Sequence, residues 1–208
     1  MVPVALGFRA ERGGSVVVCV AADGAAPRVV RSTFLPTAAA GDRLAREPYH
    51  VAVEIAAGPL GMPEAEAAVA EGRRRQDALA TEGLDALLGE LGKAGYAPRL
   101  AALLINRSGW LTAPMRLEFS LSAPEHPPVI EGLAVRDALR FAFARAALEA
   151  VEMDEKSLTE TAALLLRLPP SYVNGLGATV GRPWRKEQKL ACLAAWVALA
   201  SVEEKGGV

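Results

Sequence analysis

The sequence predicts an α/β fold in which a mixed five-stranded sheet is flanked by helices. In the first third of the chain, tight turns separate segments with the period-two spacing or the β-branched runs of strands, which is typical of antiparallel strands. After Met62 the apolar residues recur about every 3.6 positions, and these stretches are separated by short apolar runs. Antiparallel strands followed by alternating helices and strands predict a mixed sheet with a right-handed crossover.

Three strands open the chain. Val4, Leu6 and Phe8 share one face of the first strand, and the β-branched run that follows suits a strand covered on both faces. Asp23-Gly24 favours a type I′ hairpin turn, because both central positions of that turn need positive φ. The predicted strands cover residues 3–10, 15–20 and 28–35.

A turn-rich segment over residues 36–61 comes next, with a short helix predicted at 48–57. Pro63 suits the first position of a long helix, whose apolar stripe ends at the glycines of 92–95. A buried strand is predicted at 99–105, followed by a polar, turn-rich connection to Pro128.

The last part of the chain alternates again. A second main helix, with Phe141 among its inward residues, is predicted at 129–150, followed by a short strand at 150–153. Ser157 and Glu160 form a predicted capping box for the next helix, which ends before Pro169. The final helix is predicted at 183–202. It is apolar nearly all round, so it either packs between the sheet and another helix or contributes to a homodimer seam.

Length and composition predict one domain over residues 1–208, since 51% of the residues are apolar and can form a core. The net charge of −1 argues against a protein that attracts nucleic acid or acidic membranes through its overall charge, but local basic patches remain compatible with it. Cys19 and Cys192 lie in apolar runs without a metal-binding or disulfide pattern, which favours a cytoplasmic protein. No stretch predicts a signal peptide or a membrane span.

The order of elements resembles the ribonuclease H-like fold that is shared by ribonuclease H, the Holliday-junction resolvases and the actin-like kinases. Three short motifs also resemble segments of a group of uncharacterised bacterial proteins. This second resemblance implies a fold and no catalytic residue. The motifs are Gly7-Phe8-Arg9, Pro48-Tyr49-His50 and the segment 181–189.

The ribonuclease H-like resemblance implies a nuclease centre of paired metal ions held by carboxylates on the first strand, after the fourth strand and on the last helix. Two hard cations roughly 4 Å apart need such oxygen ligands to clamp a phosphodiester. The predicted first strand has no acid and ends near Arg9, and the fourth strand is followed by Asn106 and Arg107. Glu187 alone has a suitable position, so we expect neither a metal site nor a cofactor.

Basic residues cluster at the start of the last helix, where the helix dipole disfavours them. They are Arg182, Arg185, Lys186 and Lys189. A bound anion would resolve this conflict through backbone N–H groups and guanidinium forks, and Arg9 joins the cluster if the first strand ends beside this helix. The alternative is that these bases are solvated or pair with Glu152, Asp154 and Glu155.

His50 is a second candidate, because Glu54 lies four residues on and could orient it as a general base on a helix. The alternative is a loop histidine packed with its ring N–H satisfied. His126 is a loop residue, and two distant histidines do not form a zinc site.

Two functions follow from these candidates. The first is a non-catalytic ribonuclease H-like domain that binds a phosphate-containing ligand or nucleic acid at the start of its last helix. The second is an atypical nuclease that uses His50, Glu54 and Glu187. The sequence leaves the existence of an enzymatic activity open.

Overall fold

Five strands form one mixed sheet in the computed structural model. The structure describes residues 1–22, 26–106, 111–112, 115–123, 125–166 and 168–206. The strands are β1 (Val2–Glu11), β2 (Gly14–Ala22), β3 (Pro27–Pro36), β4 (Tyr96–Ile105) and β5 (Ala150–Asp154). All five predicted strands are confirmed, each with small changes at its ends. The Asp23-Gly24 turn lies outside the described residues.

The strand order is β3-β2-β1-β4-β5. The pairs β1–β2 and β2–β3 are antiparallel, as expected for consecutive hairpins, whereas β1–β4 and β4–β5 are parallel. The strands β1, β4 and β5 therefore run in the same direction, and their carboxyl ends meet at one side of the sheet. We call this side the carboxyl edge.

Helices lie on both faces of the sheet. Their bounds are α1 (Arg43–Arg46), α2 (Pro48–Ala56), α3 (Met62–Lys93), α4 (Met115–Ser122), α5 (Pro127–Arg145), α6 (Leu158–Leu165), α7 (Val173–Leu176) and α8 (Lys186–Gly206). None of the helices in the described part of the chain is long and apolar enough to cross a membrane.

The alternating pattern of the strands separates the core into two layers. Val4, Leu6 and Phe8 share one face, as predicted, and this face packs against α3 and α5. The Phe8 ring meets Phe143 at a centroid distance of 4.8 Å. The opposite face of β1 and β2, with Ala5, packs against α8, α6 and α7. A third, smaller cluster joins α2, α4 and the start of α5 on the α3 side.

The final helix packs between the sheet and α6, which is the first of its two predicted arrangements. Every side chain from 191 to 199 is buried. Gly7 permits this approach: a Cβ there would overlap the carbonyl oxygen of Ala191. The end of β1 therefore lies directly beside the first turns of α8.

Four expectations need correction. The connection predicted as polar and turn-rich contains helix α4. The second main helix, predicted to extend to residue 150, ends at Arg145, because Ala147 adopts a positive φ of 49°. Phe141, predicted to face inward, is exposed. Ser157 precedes α6, but its side chain forms no cap; its hydroxyl donates instead to the carbonyl of Asp154.

Because β1 and α8 are so close at Gly7, we predict that even a methyl side chain at this position destabilises the folded protein. We expect Gly7→Ala to lower the free energy of unfolding by about 1–3 kcal/mol or more, because β1 or α8 must move to relieve the overlap. Denaturant unfolding measures this change.

Gly89→Ala is the matched control, because Gly89 lies inside helix α3 with no atom near an added Cβ. That variant should be stabilised by about 0.5–1 kcal/mol through the higher helix propensity of alanine. Wild-type stability in Gly7→Ala would contradict the packing of α8 on β1.

Candidate functional site

The carboxyl edge collects charged side chains from β1, β5 and helix α5. Arg9 and Glu11 end β1, and Asn106 follows β4. Asp154 ends β5, and Glu155 follows it. Because these strands are parallel neighbours, residues far apart in the sequence become close here.

Arg9 forms a forked ion pair at this edge. Its Nε lies 3.1 Å from Glu155 Oε2 and its Nη2 lies 3.3 Å from Glu155 Oε1. Its Nη1 lies 3.4 Å from Glu11 Oε1. The strand β1 does end beside α8, which was the condition for Arg9 to join the basic cluster. The Arg9 guanidinium group, however, already forms ion pairs with two carboxylates.

The residues at the carboxyl edge do not fit a pair of metal ions. Arg9 stands at the end of β1, and the Oδ1 of Asn106 accepts a hydrogen bond from Arg136 Nη1 at 3.1 Å. Arg136 also donates through Nε to the carbonyl of Leu104 at 3.2 Å. Guanidinium groups therefore lie where divalent cations would need oxygen ligands. Among the described residues no group of three or more histidines, cysteines or acids is arranged to hold a metal.

The final helix begins at Lys186, three residues later than predicted, so Arg182 and Arg185 precede it. The Oε1 of Gln188 accepts a hydrogen bond from the Arg185 backbone N–H at 2.9 Å, which is half of a capping box.

The basic cluster at the start of α8 has no acidic partners in the part of the chain that the structure describes. Two of the acids suggested for it are engaged elsewhere, since Glu155 pairs with Arg9 and Glu152 accepts a hydrogen bond from Arg140 at 2.6 Å. Arg182, Arg185, Lys186 and Lys189 form no ion pair with any of the described residues, and the first three of these side chains are exposed.

A groove of about 540 Å³ separates the start of α8 from the opening β-ribbon. Arg185, Glu187 and Gln188 line it on the helix side. Glu11 and Phe34 line it on the ribbon side. The groove therefore carries charges of both signs, and Arg185 is the member of the basic cluster that lines it.

Trp184 anchors the segment that leads into this groove. Its Nε1 donates to the carbonyl of Val173 at 2.9 Å, and its ring lies where a Cβ on Gly177 would be. The absence of a side chain at Gly177 makes room for the indole ring. Trp184 is thus a structural anchor.

His50 has a different partner from the one predicted. Its Nδ1 lies 3.2 Å from Glu131 Oε1. Glu54 instead accepts a hydrogen bond from Arg43 Nη1 at 2.9 Å, and this bond holds the pKa of Glu54 below its usual value. The expectation that Glu54 orients His50 is therefore wrong.

Glu131 is a buried acid that the sequence analysis missed. Its Oε1 accepts hydrogen bonds from the backbone N–H groups of Tyr49 and His50 at 2.9 and 3.0 Å, so it caps the start of α2. Its Oε2 is buried and has no hydrogen-bond partner. Burial raises the pKa of Glu131 to about 8. A signal was present: Glu131 shares a helical stripe with the buried residues Ala134 and Ala138.

The contact with Glu131 also bears on which nitrogen of the His50 ring carries the proton. When the carboxyl proton of Glu131 is on Oε2, Oε1 can only accept hydrogen bonds. Its contact with His50 Nδ1 is then a hydrogen bond only when Nδ1 carries a proton. In the neutral ring this leaves Nε2 as the acceptor.

The three residues of the predicted nuclease site do not come together. His50 lies on α2, which packs against α3, α4 and α5 on one side of the sheet. Glu187 lies at the start of α8, on the opposite face. Glu54 is on α2 but points its carboxylate to Arg43.

Solved structures of RuvC are among those that match this chain. The T. thermophilus RuvC in complex with Holliday junction substrate matches with a TM-score of 0.54 and 12% identity, over 97% of this chain and 96% of that chain. The Thermus thermophilus RuvC structure matches with a TM-score of 0.50 and 10% identity over the same shares. The fold is therefore ribonuclease H-like. No protein-family model and no curated protein matches the sequence.

The buried carboxyl of Glu131 predicts a pH-dependent stability. Its pKa is about 8 in the folded chain and about 4.3 when unfolded, so the folded state holds more protons between these values. The contribution of this carboxyl to the free energy of unfolding is then largest below about pH 4.3 and falls by about 1.4 kcal/mol per pH unit across this window. We expect Glu131→Gln to remove this fall in urea unfolding at a series of pH values.

The exposed Glu66 provides the control, and Glu66→Gln should keep the wild-type dependence. A parallel pH profile for wild type and Glu131→Gln would show that this carboxyl ionises normally.

Proposed function

We propose that this chain is a single-domain, cytoplasmic ribonuclease H-like protein that binds nucleic acid through backbone phosphates and does not use paired metal ions for catalysis. The observation that carries the proposal is the basic cluster at the start of α8, which has no acidic partner among the described residues and adjoins a groove at the carboxyl edge. A protein of the same fold, T. thermophilus RuvC, was solved in complex with a Holliday junction.

Phosphate groups suit this cluster chemically. Guanidinium groups form forked hydrogen bonds with phosphate oxygens, and lysines add point charge. Each phosphate that is neutralised also releases condensed counterions, which favours binding. Because the chain has a net charge of −1, this attraction is local to the carboxyl edge and not a property of the whole surface.

The ion pair of Arg9 supports binding without metal chemistry. Glu11 and Glu155 lie at the end of β1, and both already contact the guanidinium group of Arg9. Recruiting them as metal ligands would require breaking these contacts and leaving Arg9, which is half-buried, without its partners.

Removal of two exposed charges tests the interface. We expect Arg185→Gln/Lys186→Gln to weaken binding of a four-way DNA junction and to reduce the slope of log K against log salt concentration by up to about 2, because each lost phosphate contact removes roughly 0.9 from the slope. Fluorescence anisotropy over a salt series measures both quantities.

Lys93→Gln/Arg99→Gln is the matched control. Both side chains are exposed and lie near the start of β4, at the opposite edge of the sheet. Equal slopes for the two double variants would contradict an interface at α8, and so would binding that does not depend on salt.

Divalent cations provide a separate test of the metal-independent mode. We expect junction binding to be unchanged by EDTA and the bound DNA to remain intact in Mg²⁺ or Mn²⁺. Cleavage that requires Mg²⁺ would overturn the non-catalytic proposal. Cleavage that is lost in His50→Ala or Glu187→Gln, with the fold retained, would favour the nuclease alternative.

A further inference from the structure

A second cation-lined concavity lies at the turn between β1 and β2. It has a volume of about 420 Å³. Its lining includes Arg12, Arg43 and Arg46, together with Gly13 and Glu47. We call it the arginine pocket. The sequence analysis assigned no role to Arg43 or Arg46.

One carboxylate faces three guanidinium groups in this pocket. Glu47 lies 3.4 Å from Arg12, 3.9 Å from Arg43 and 3.8 Å from Arg46. The two longer separations exceed hydrogen-bond distance, so Glu47 is a weak partner for most of the N–H groups around it. Arg43 is held by Glu54, whereas Arg12 and Arg46 share Glu47 as their acidic partner within the described residues.

The other acid of the pocket is occupied by structural contacts. One oxygen of Asp42 accepts a hydrogen bond from the Ala45 backbone N–H at 3.0 Å. Its carboxylate also lies 3.3 Å from Arg75 Nη1. Arg12 and Arg46 therefore line the concavity with positive charge, and Glu47 is their nearest acidic partner among the described residues, at 3.4 and 3.8 Å.

The two concavities flank the same turn. Glu11 lines the groove at the start of α8, and the next residues, Arg12 and Gly13, line the arginine pocket. Consecutive Cα atoms are about 3.8 Å apart, so only the width of the turn separates the two sites. Gly13 holds that turn in place with a positive φ of 78°. A nucleic-acid strand at Arg185 that continues across the turn would next meet Arg12 and Arg46.

We propose that the arginine pocket is a second phosphate-binding site that contacts the same nucleic-acid strand as the basic cluster, on the other side of the β1–β2 turn. This inference rests on the proposed function and extends it. The ligand is a backbone phosphate diester, which Arg12 and Arg46 bind through their N–H groups while Glu47 keeps both side chains near the pocket. Recognition is independent of base sequence, because the contacts are to phosphate.

The test is Arg12→Gln/Arg46→Gln, compared with the control Lys93→Gln/Arg99→Gln and with Arg185→Gln/Lys186→Gln. Arg12 and Arg46 are about half exposed, so the fold should tolerate their replacement. We expect a reduction of about 1–2 in the salt slope for a four-way junction. Combining the two site variants should reduce the slope by the sum of the separate changes.

The outcomes separate the two proposals. If wild type binds the junction and the Arg185 variant weakens binding while the Arg12 variant matches the control, the arginine pocket is not a phosphate site and the proposed function stands. If wild type shows no salt-dependent binding, the proposed function fails and this inference fails with it. A reduced slope in the Arg12 variant supports the second site.

A labelling experiment tests the same contact without removing charge. Cys19 and Cys192 are buried, and burial raises the pKa of each thiol to about 12, so an added surface cysteine should react selectively. A fluorophore on Ala40→Cys, inside the pocket lining, should change its emission when the junction binds. The same label on the exposed Ala94→Cys, at the opposite edge, should not. An unchanged signal at position 40 in a complex that forms would overturn the second site.

Discussion

The contact between β1 and α8 determines where the other features of this protein can lie. At Gly7 the strand and the helix approach so closely that no side chain fits between them. This contact fixes the position of the buried helix, and its first turn then reaches the carboxyl edge beside Glu11. The basic cluster, the groove and the ion pair of Arg9 are neighbours because of this packing.

The carboxyl edge has a chemistry that differs from what its fold implies. In nucleases of this fold, acids at the strand ends hold metal ions, whereas here Arg9 and Arg136 place guanidinium groups at the ends of β1 and β4. The contact of Arg9 with Glu155 joins residues 146 positions apart and ties the short edge strand β5 to the centre of the sheet. The same edge of the fold can thus bind metal ions in one protein and connect two strands through an ion pair in another.

Much of the fold could be predicted from the sequence, because the period-two spacing in β1 and the apolar runs of β2 and α8 are local patterns that burial imposes directly. Helix α4 could not, since its mixed polarity and the surrounding turn residues gave no clear period. For the site, the cluster of basic residues at the start of α8 was predicted. The partners of His50 and Arg9 were not, because Glu131 and Glu155 are brought to them by tertiary packing that spacing along the chain does not encode.

The way α8 begins has a consequence for the thermodynamics of binding. The main chain at Arg185 is held from both sides, by Trp184 on the Val173 carbonyl and by Gln188 on the Arg185 N–H. The backbone is therefore preorganised, and a ligand need only restrict the arginine side chain, at a cost of about 2 kcal/mol or less in rotamer entropy. An induced-fit rearrangement of this segment is unnecessary, and association should proceed as fast as electrostatic encounter allows.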